Sequence, residues 1–275
     1  MSVAWVAHVL RNIDWSASVE AMHSLSLMLM TACFIAAGLI YVTRLFRLRC
    51  WIERLSNAGL PFKEWIHLYL KSIAFGSVTP ARIGDFSRIA LLGKTGLNLA
   101  DRTRIVFHDK MADLLYIPIG ICLTSGIAGE KLNIPGGWIF AGGMLSLTVY
   151  ISVSYLFLRF LGVKPVLFGF AATITGLGLF ILSNTFLFRS VGINLTMLDI
   201  AAITLSAGII ASLPVSAGGL GVRECSLIYL LGLWGVQPEA APPVLVLEFI
   251  LNMIFPVILY ICWTLCINIK KRLCW

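Results

Sequence analysis

Long apolar runs, each closed by a short cluster of basic residues, dominate the chain. A helix needs about 20 mostly apolar residues to cross a bilayer. Five stretches meet that length: 24–43, 105–124, 137–158, 165–188 and 241–268. The last is long and holds Pro256, which predicts a tilt or a kink. Two further regions follow a different pattern. Residues 62–96 and 198–235 each have two short apolar arms separated by Pro, Gly and charge. Neither arm spans comfortably alone, and a bilayer tolerates broken backbone only where protein or a wet cavity satisfies it. Both regions are therefore predicted to be helical hairpins that enter and return on one side. Residues 1–23 mix Trp5, His8, Arg11, Asp14, Trp15 and Glu20 among small apolar residues. That is the pattern of an interfacial segment rather than of a signal peptide.

Composition agrees with a bilayer as solvent. The 275 residues are 59% hydrophobic and only 12% charged, against about 25% charged in an ordinary soluble domain. The net charge of +8 is not a nucleic-acid signal, because the basic residues sit at segment ends, where they orient helices and meet anionic lipid head groups. Residues 44–54, with Arg44, Arg47, Arg49 and Arg54, are placed in the cytoplasm. If 62–96 is a hairpin, Arg102, Arg104, Arg159, Lys164, Lys270, Lys271 and Arg272 are also cytoplasmic, and only Arg11, Lys131 and Arg189 lie outside. The positive-inside rule thus favours an outside N-terminus and a cytoplasmic C-terminus in the cell's inner (cytoplasmic) membrane.

The two broken regions resemble each other. Asp85, Gly96, Asp109 and Asp113 recur as Glu224, Gly235, Glu248 and Asn252 at identical spacings, without gaps from 85 to 113 and from 224 to 252. Leu91-Leu92-Gly93 matches Leu230-Leu231-Gly232 in the same register. The expected architecture is an all-α polytopic integral membrane protein with five full spans and two re-entrant helical hairpins in an inverted repeat. It forms a single transmembrane domain over 1–275. Residues 24–125 are the first repeat, 137–158 a connecting span and 165–269 the second repeat. Transporters built this way bind substrate near the midplane, between broken helices.

The polar residues concentrate at the breaks. The first tip reads Pro80-Ala81-Arg82-Ile83-Gly84-Asp85-Phe86-Ser87-Arg88. Asp85 and Arg88, three apart, can pair on one helix face, leaving Arg82 as a fork for phosphate. The plainer alternative is a solvated surface loop. The second tip runs from Pro214 to Glu224; Gly218, Gly219 and Gly221 let backbone approach a ligand, and Arg223 and Glu224 open a helix. The plainer alternative there is a flexible turn. Asp109 and Asp113 share a face of one span, and Lys110 can reach Asp113; Glu248 and Asn252 share a face of the last span. Intramembrane ionisable residues are functional candidates, though Asp109 or Asp113 can equally serve as a clamp that neutralises Arg82 or Arg88.

Enzyme motifs fit poorly. His108 and Asp113 form an H-x4-D pattern, but five residues apart on a helix they diverge, and the cytosolic platform and glycine-rich acceptor motif of acyltransferases are absent. Asp109-x3-Asp113 lacks the other half of the CDP-alcohol phosphotransferase motif. There is no P-loop and no nucleophile elbow. Of the seven cysteines, Cys262 and Cys266 share a helix face, but two thiols do not make a metal site. Neither a cofactor, a metal nor a catalytic residue is expected.

At these residues the chain resembles the flippase-like transmembrane domain of lysylphosphatidylglycerol synthases and its stand-alone relatives. The matching elements are Pro80 to Arg88, Gly96, Asp109-Lys110-Met111-Ala112-Asp113, Leu213-Pro214, Gly218-Gly219-Leu220-Gly221-Val222-Arg223-Glu224, Gly235-Val236 and Pro256. They are spread over nearly the whole chain. Two positions depart from the family pattern: a usual Glu-Arg is Asp109-Lys110, and a frequent basic residue is Glu248. The family's larger members add a cytosolic aminoacyl-transferase domain that this sequence lacks, so the resemblance implies transport rather than lysyl-lipid synthesis. It implies movement of a phospholipid, glycolipid or polyprenyl-linked lipid across the membrane. The head group would pass a cavity lined by Arg82, Asp85, Arg88, Asp109, Asp113, Gly218, Gly219, Gly221, Arg223, Glu224 and Glu248. The alternative is a non-catalytic membrane partner of a lipid or cell-envelope glycan biosynthetic enzyme.

Overall fold

A computed structural model describes residues 25–56, 60–132, 135–212, 222–237 and 240–273. The interfacial segment 1–23 and the glycine-rich tip with Gly218, Gly219 and Gly221 lie outside the described residues. Every regular element among those described is helical. In chain order they are α1 (Leu27–Leu55), α2 (Phe62–Val78), α3 (Ser87–Leu91), α4 (Leu99–Asp113), α5 (Tyr116–Leu132), α6 (Gly136–Leu161), α7 (Val163–Ser190), α8 (Met197–Ser212), α9 (Val222–Leu233), α10 (Ala241–Phe249) and α11 (Phe255–Leu273). Two 3-10 segments, Pro80–Phe86 and Leu92–Thr95, flank α3, and one π turn, Ile250–Ile254, joins α10 to α11.

Four helical stretches are long and apolar enough to cross a membrane: Leu27–Leu55, Gly136–Val153, Val163–Ser190 and Ala241–Ile269. The expected span 105–124 is corrected: it is two helices, broken at Leu114 and Leu115. Pro118 is the cause. It has no N–H to donate to Leu114, and its ring excludes that carbonyl from a regular turn. The chain resolves this by starting a new helix two residues earlier, where a missing donor costs little; Ile117 N–H donates to Leu114 O at 3.0 Å instead. At the other proline, the turn before Pro256 widens into the π segment, a common response to a lost backbone donor.

The stretch 44–54, expected in the cytoplasm, continues the first span as helix rather than forming a loop. α1 runs through it without a break to Leu55. At about 1.5 Å per residue its 29 residues reach about 43 Å, beyond a hydrocarbon core of about 30 Å. One face of its C-terminal half is buried in protein: Arg47, Leu48, Trp51 and Ile52 are all under cover.

α1 and α7 form a long antiparallel pair at the centre. Ser26 N–H donates to Ser190 O (3.2 Å), Ser183 Oγ to Cys33 O (3.1 Å) and Trp51 Nε1 to Pro165 O (2.9 Å). An apolar core lies at each end of the pair. One gathers Leu48, Trp51, Trp65, Leu68, Leu92 and Ile105. The other gathers Leu187, Phe188, Ile200, Leu227, Leu231 and Val244.

After Thr79 the chain doubles back along α2. Thr79 Oγ1 donates to Phe75 O (2.9 Å) and accepts from Gly84 N–H (2.7 Å), which fixes the bend. Two glycines make the approach possible. A Cβ on Gly84 would lie 2.3 Å from Phe75 O, and one on Gly76 would lie 2.1 Å from Asp85 Oδ1. α8 and α9 form a second antiparallel pair, closed at its open end by Trp234 Nε1 donating to Asp199 Oδ1 at 2.8 Å. A reciprocal cap at Thr196 and Asp199 starts α8: Asp199 N–H donates to Thr196 Oγ1, and Thr196 Oγ1 to Asp199 Oδ2. Gly96 and Gly235, paired by the sequence repeat, both have φ 73°, and both end a leucine-rich turn. Each first arm packs across the molecule: α2 against α11, and α8 against α5.

Gly76→Ala is expected to lower stability by about 1–3 kcal/mol, the range for an overpacked core. Gly178→Ala, where nothing lies within 4 Å of the added carbon, should leave stability unchanged or raise it. Thermal unfolding of the two detergent-solubilised variants reads the difference.

Candidate functional site: a buried ring of charges

α4 carries Asp109, Lys110 and Asp113 into the first core. Asn98 caps this helix by accepting from Asp101 N–H at 2.8 Å, which sets its direction. α1 brings Arg44 and Arg47 to one side of α4, and the doubled-back segment brings Asp85 and Arg88 to the other.

Asp109 is the centre. It is fully buried and takes two guanidinium groups, one on each oxygen. Arg47 donates to Oδ1 from Nε (2.9 Å) and Nη2 (2.6 Å), and Arg88 Nη1 donates to Oδ2 (2.5 Å). Arg47 Nη2 also reaches Asp113 Oδ1 (2.7 Å) and the Asp109 carbonyl (3.1 Å), while Nη1 donates to Thr173 Oγ1 (2.8 Å) on α7. Arg88 Nε donates to Ser72 Oγ on α2 (2.8 Å), and its Nη2 lies 3.7 Å from Asp85 Oδ1. Asp85 is held in turn by Lys110, whose ammonium lies 4.0 Å from Asp113.

These contacts close a ring of alternating sign: Lys110, Asp85, Arg88, Asp109, Arg47, Asp113 and back to Lys110. Arg44 joins from outside, its Nε 3.5 Å from Asp113 Oδ1. Four cations therefore face three carboxylates, which leaves one positive charge in excess. Aromatic faces line the cationic side. Arg88 lies 4.9 Å from the Tyr69 ring centre, Arg47 5.5 Å from that of Trp51, and Trp51 stacks on His108 at 4.6 Å. The buried Tyr69 hydroxyl has no hydrogen-bond partner among the described residues.

The ring has a dry side and an open edge. Arg47, Arg88, Asp85 and Asp109 have side chains at most 4% exposed, whereas Arg44, Lys110 and Asp113 are 30%, 24% and 18% exposed. Removing one partner of a buried ion pair strands a charge in low dielectric and costs about 3–5 kcal/mol.

Of the residues singled out from sequence, the structure brings Asp85, Arg88, Asp109 and Asp113 together, and the Asp85–Arg88 pair forms as its spacing predicts. The clamp role of Asp109 on Arg88 is realised. Glu248 is buried elsewhere, between Leu247 and Leu251 of the second core, with Asn252 Nδ2 donating to its carbonyl at 2.8 Å. The side chains of Arg82, Arg223 and Glu224 lie outside the described part of the structure, as do Gly218, Gly219 and Gly221. Lys110, expected near Asp113, joins them, and Arg44, Arg47, Ser72 and Tyr69 are the additions. Arg44, Arg47 and Trp51 recur at helical spacing in an unbroken run, and that spacing was the available signal.

Asp109→Asn and Arg88→Met should each destabilise the protein by about 3–5 kcal/mol. The double variant should cost clearly less than the sum of the two, because neither charge is left alone. A double-mutant cycle from unfolding in detergent measures the coupling; strict additivity would contradict the pairing.

The lysylphosphatidylglycerol synthase TM region family matches residues 1–177, a stretch that contains every member of the ring. The UPF0104 membrane protein MJ1078 of Methanocaldococcus jannaschii is 26% identical, over 67% of this chain and 89% of that protein. The chain therefore belongs to the lysylphosphatidylglycerol synthase TM region family and is a multi-pass membrane protein.

Proposed function

We propose that this protein carries a lipid with an anionic head group across the cytoplasmic membrane. The observation that carries the reading is the open edge of the charge ring. There Arg44 and Lys110, about a third and a quarter exposed, stand around a single carboxylate, with one positive charge in excess. A phosphate can take the place of Asp113 or add to it, because guanidinium binds both groups with the same fork. A phospholipid, a glycolipid phosphate or a polyprenyl-linked phosphate all present that chemistry. The acyl or prenyl chains would stay in the bilayer.

The reading places both doubled-back segments as re-entrant hairpins of opposite orientation, with the N-terminus outside and the C-terminus in the cytoplasm. Several features support it. The equal φ of Gly96 and Gly235, the central α1–α7 pair and the crossed packing of α2 on α11 and α8 on α5 are what a two-fold pseudo-symmetric arrangement produces. The glycine-rich second tip, with Gly218, Gly219, Gly221, Arg223 and Glu224, then serves the opposite face. Arg82, Asp85, Arg88, Asp109 and Asp113 serve the first, and Glu248 lies at the position corresponding to Asp109.

A second reading has its own support. Each cation of the ring already has a carboxylate, as in a purely structural clamp. On that reading the protein is a non-catalytic partner of a lipid or glycan biosynthetic enzyme.

Purified protein in liposomes is expected to move fluorescent phosphatidylglycerol between leaflets, read by dithionite quenching. Arg44→Ala should slow transport about tenfold or more, the loss of one charged phosphate contact, while the unfolding temperature stays near that of the parent. Arg223→Ala should abolish movement. Unchanged rates in both variants would overturn the site, and an inert protein that co-purifies with an enzyme subunit would establish the second reading.

A further inference from the structure

A groove of about 430 Å³ lies away from the charge ring, on the membrane-facing side of α5. Its origin is a packing constraint. α5 lies tight against α6, where a Cβ on Gly143 would come within 2.6 Å of Cys122 Sγ. It lies equally tight against α8, where a Cβ on Gly120 would sit 3.0 Å from Leu205. Small residues draw both neighbours onto α5, while α6 and α8 scarcely touch each other. A V-shaped gap remains between them. Ile121 forms its floor, Ile139 and Gly142 of α6 one wall, and Ser206 and Ile209 of α8 the other. At the mouth stand Trp138 and Tyr229, 77% and 55% exposed.

We propose that this groove is a binding site for one hydrocarbon chain of a membrane lipid. Water does not suit it: an ordered water needs two to four polar partners, and among the described residues Ser206, Tyr229 and, at the mouth, Trp138 supply the polar side chains of the lining. An empty groove leaves its walls without dispersion partners. A further transmembrane helix, about 10 Å across, is too wide for a volume in the small-ligand range of about 300–1,000 Å³. A flexible alkyl chain fits, and it is the solvent at that depth. Trp138 stands two residues inside the start of α6, so the mouth lies near the membrane–water boundary, where Trp and Tyr prefer to sit. The lipid's head group then lies at that interface, and its chain runs inward past Gly142 along α8. The site deepens the transport reading by seating the tail of the cargo beside the second hairpin, but it rests only on the membrane placement of these helices.

Gly142 offers the test, because nothing lies within 4 Å of a carbon added there. A larger side chain at that position fills the groove without pushing on a neighbour. The probe is phosphatidylglycerol with a diazirine near the end of one acyl chain, photolysed in liposomes that hold the full chain. The expected result is labelling of the 138–142, 206–210 and 229–230 peptides several-fold above the equally lipid-facing residues Ile258, Ile261 and Leu265 of α11. Gly142→Leu should bring groove labelling down to the α11 level. Gly178→Leu, placed on α7 where the space is also open, should leave it unchanged. Equal labelling of groove and α11 in the unmodified protein, or groove labelling that survives Gly142→Leu, overturns the proposal. Should Gly142→Leu not fold, the ratio in the unmodified protein still decides. A protein that transports lipid without labelling its groove sinks this site alone; one that is labelled but moves no lipid sinks the transport reading alone.

Discussion

Asp109 accepts two arginines at once in a part of the molecule whose other walls are Trp, Leu, Ile and Val. A single carboxylate in that setting would be very costly, because the interior offers little to replace its hydration. The same is true of Arg47 and Arg88. Only together, with Thr173, Ser72 and the Asp109 carbonyl completing the hydrogen bonds, do these charges become tolerable. This requirement organises the first half of the fold. α1 must run past Arg47, the chain must turn back at Thr79 so that Arg88 arrives, and α4 must hold its carboxylates between them. The tight contact of Gly76 with Asp85 follows, since Lys110 and Arg88 fix that carboxylate against α2.

Much of the architecture was legible from periodicity and composition. Four of the five apolar runs are long continuous helices, and both broken regions double back. The span 105–124 was misread because hydropathy averages over a window and does not register one missing backbone donor at Pro118. The charge ring was half legible. Asp85 and Arg88 announce themselves by spacing, and Asp109 and Asp113 by being charged in an apolar run. Arg44 and Arg47 were hidden by their position. At the end of a span, arginine is the ordinary mark of a cytoplasmic border, and that rule says nothing of partners inside the protein. What distinguishes them is tertiary: the partners lie more than sixty residues away, on a helix whose direction no local pattern gives.

The two halves repeat in sequence, and the matching members Asp109 and Glu248 are both buried: Asp109 at the hub of the ionic network, Glu248 beside Leu247 and Leu251.

The arginines of α1 stand three residues apart and the aspartates of α4 four apart, close to one helical turn in each case. The two helices run in opposite directions where they meet, since Arg44 faces Asp113 and Arg47 faces both Asp113 and Asp109. The charges behave as teeth cut to the pitch of the helix, and they hold the two helices in one register.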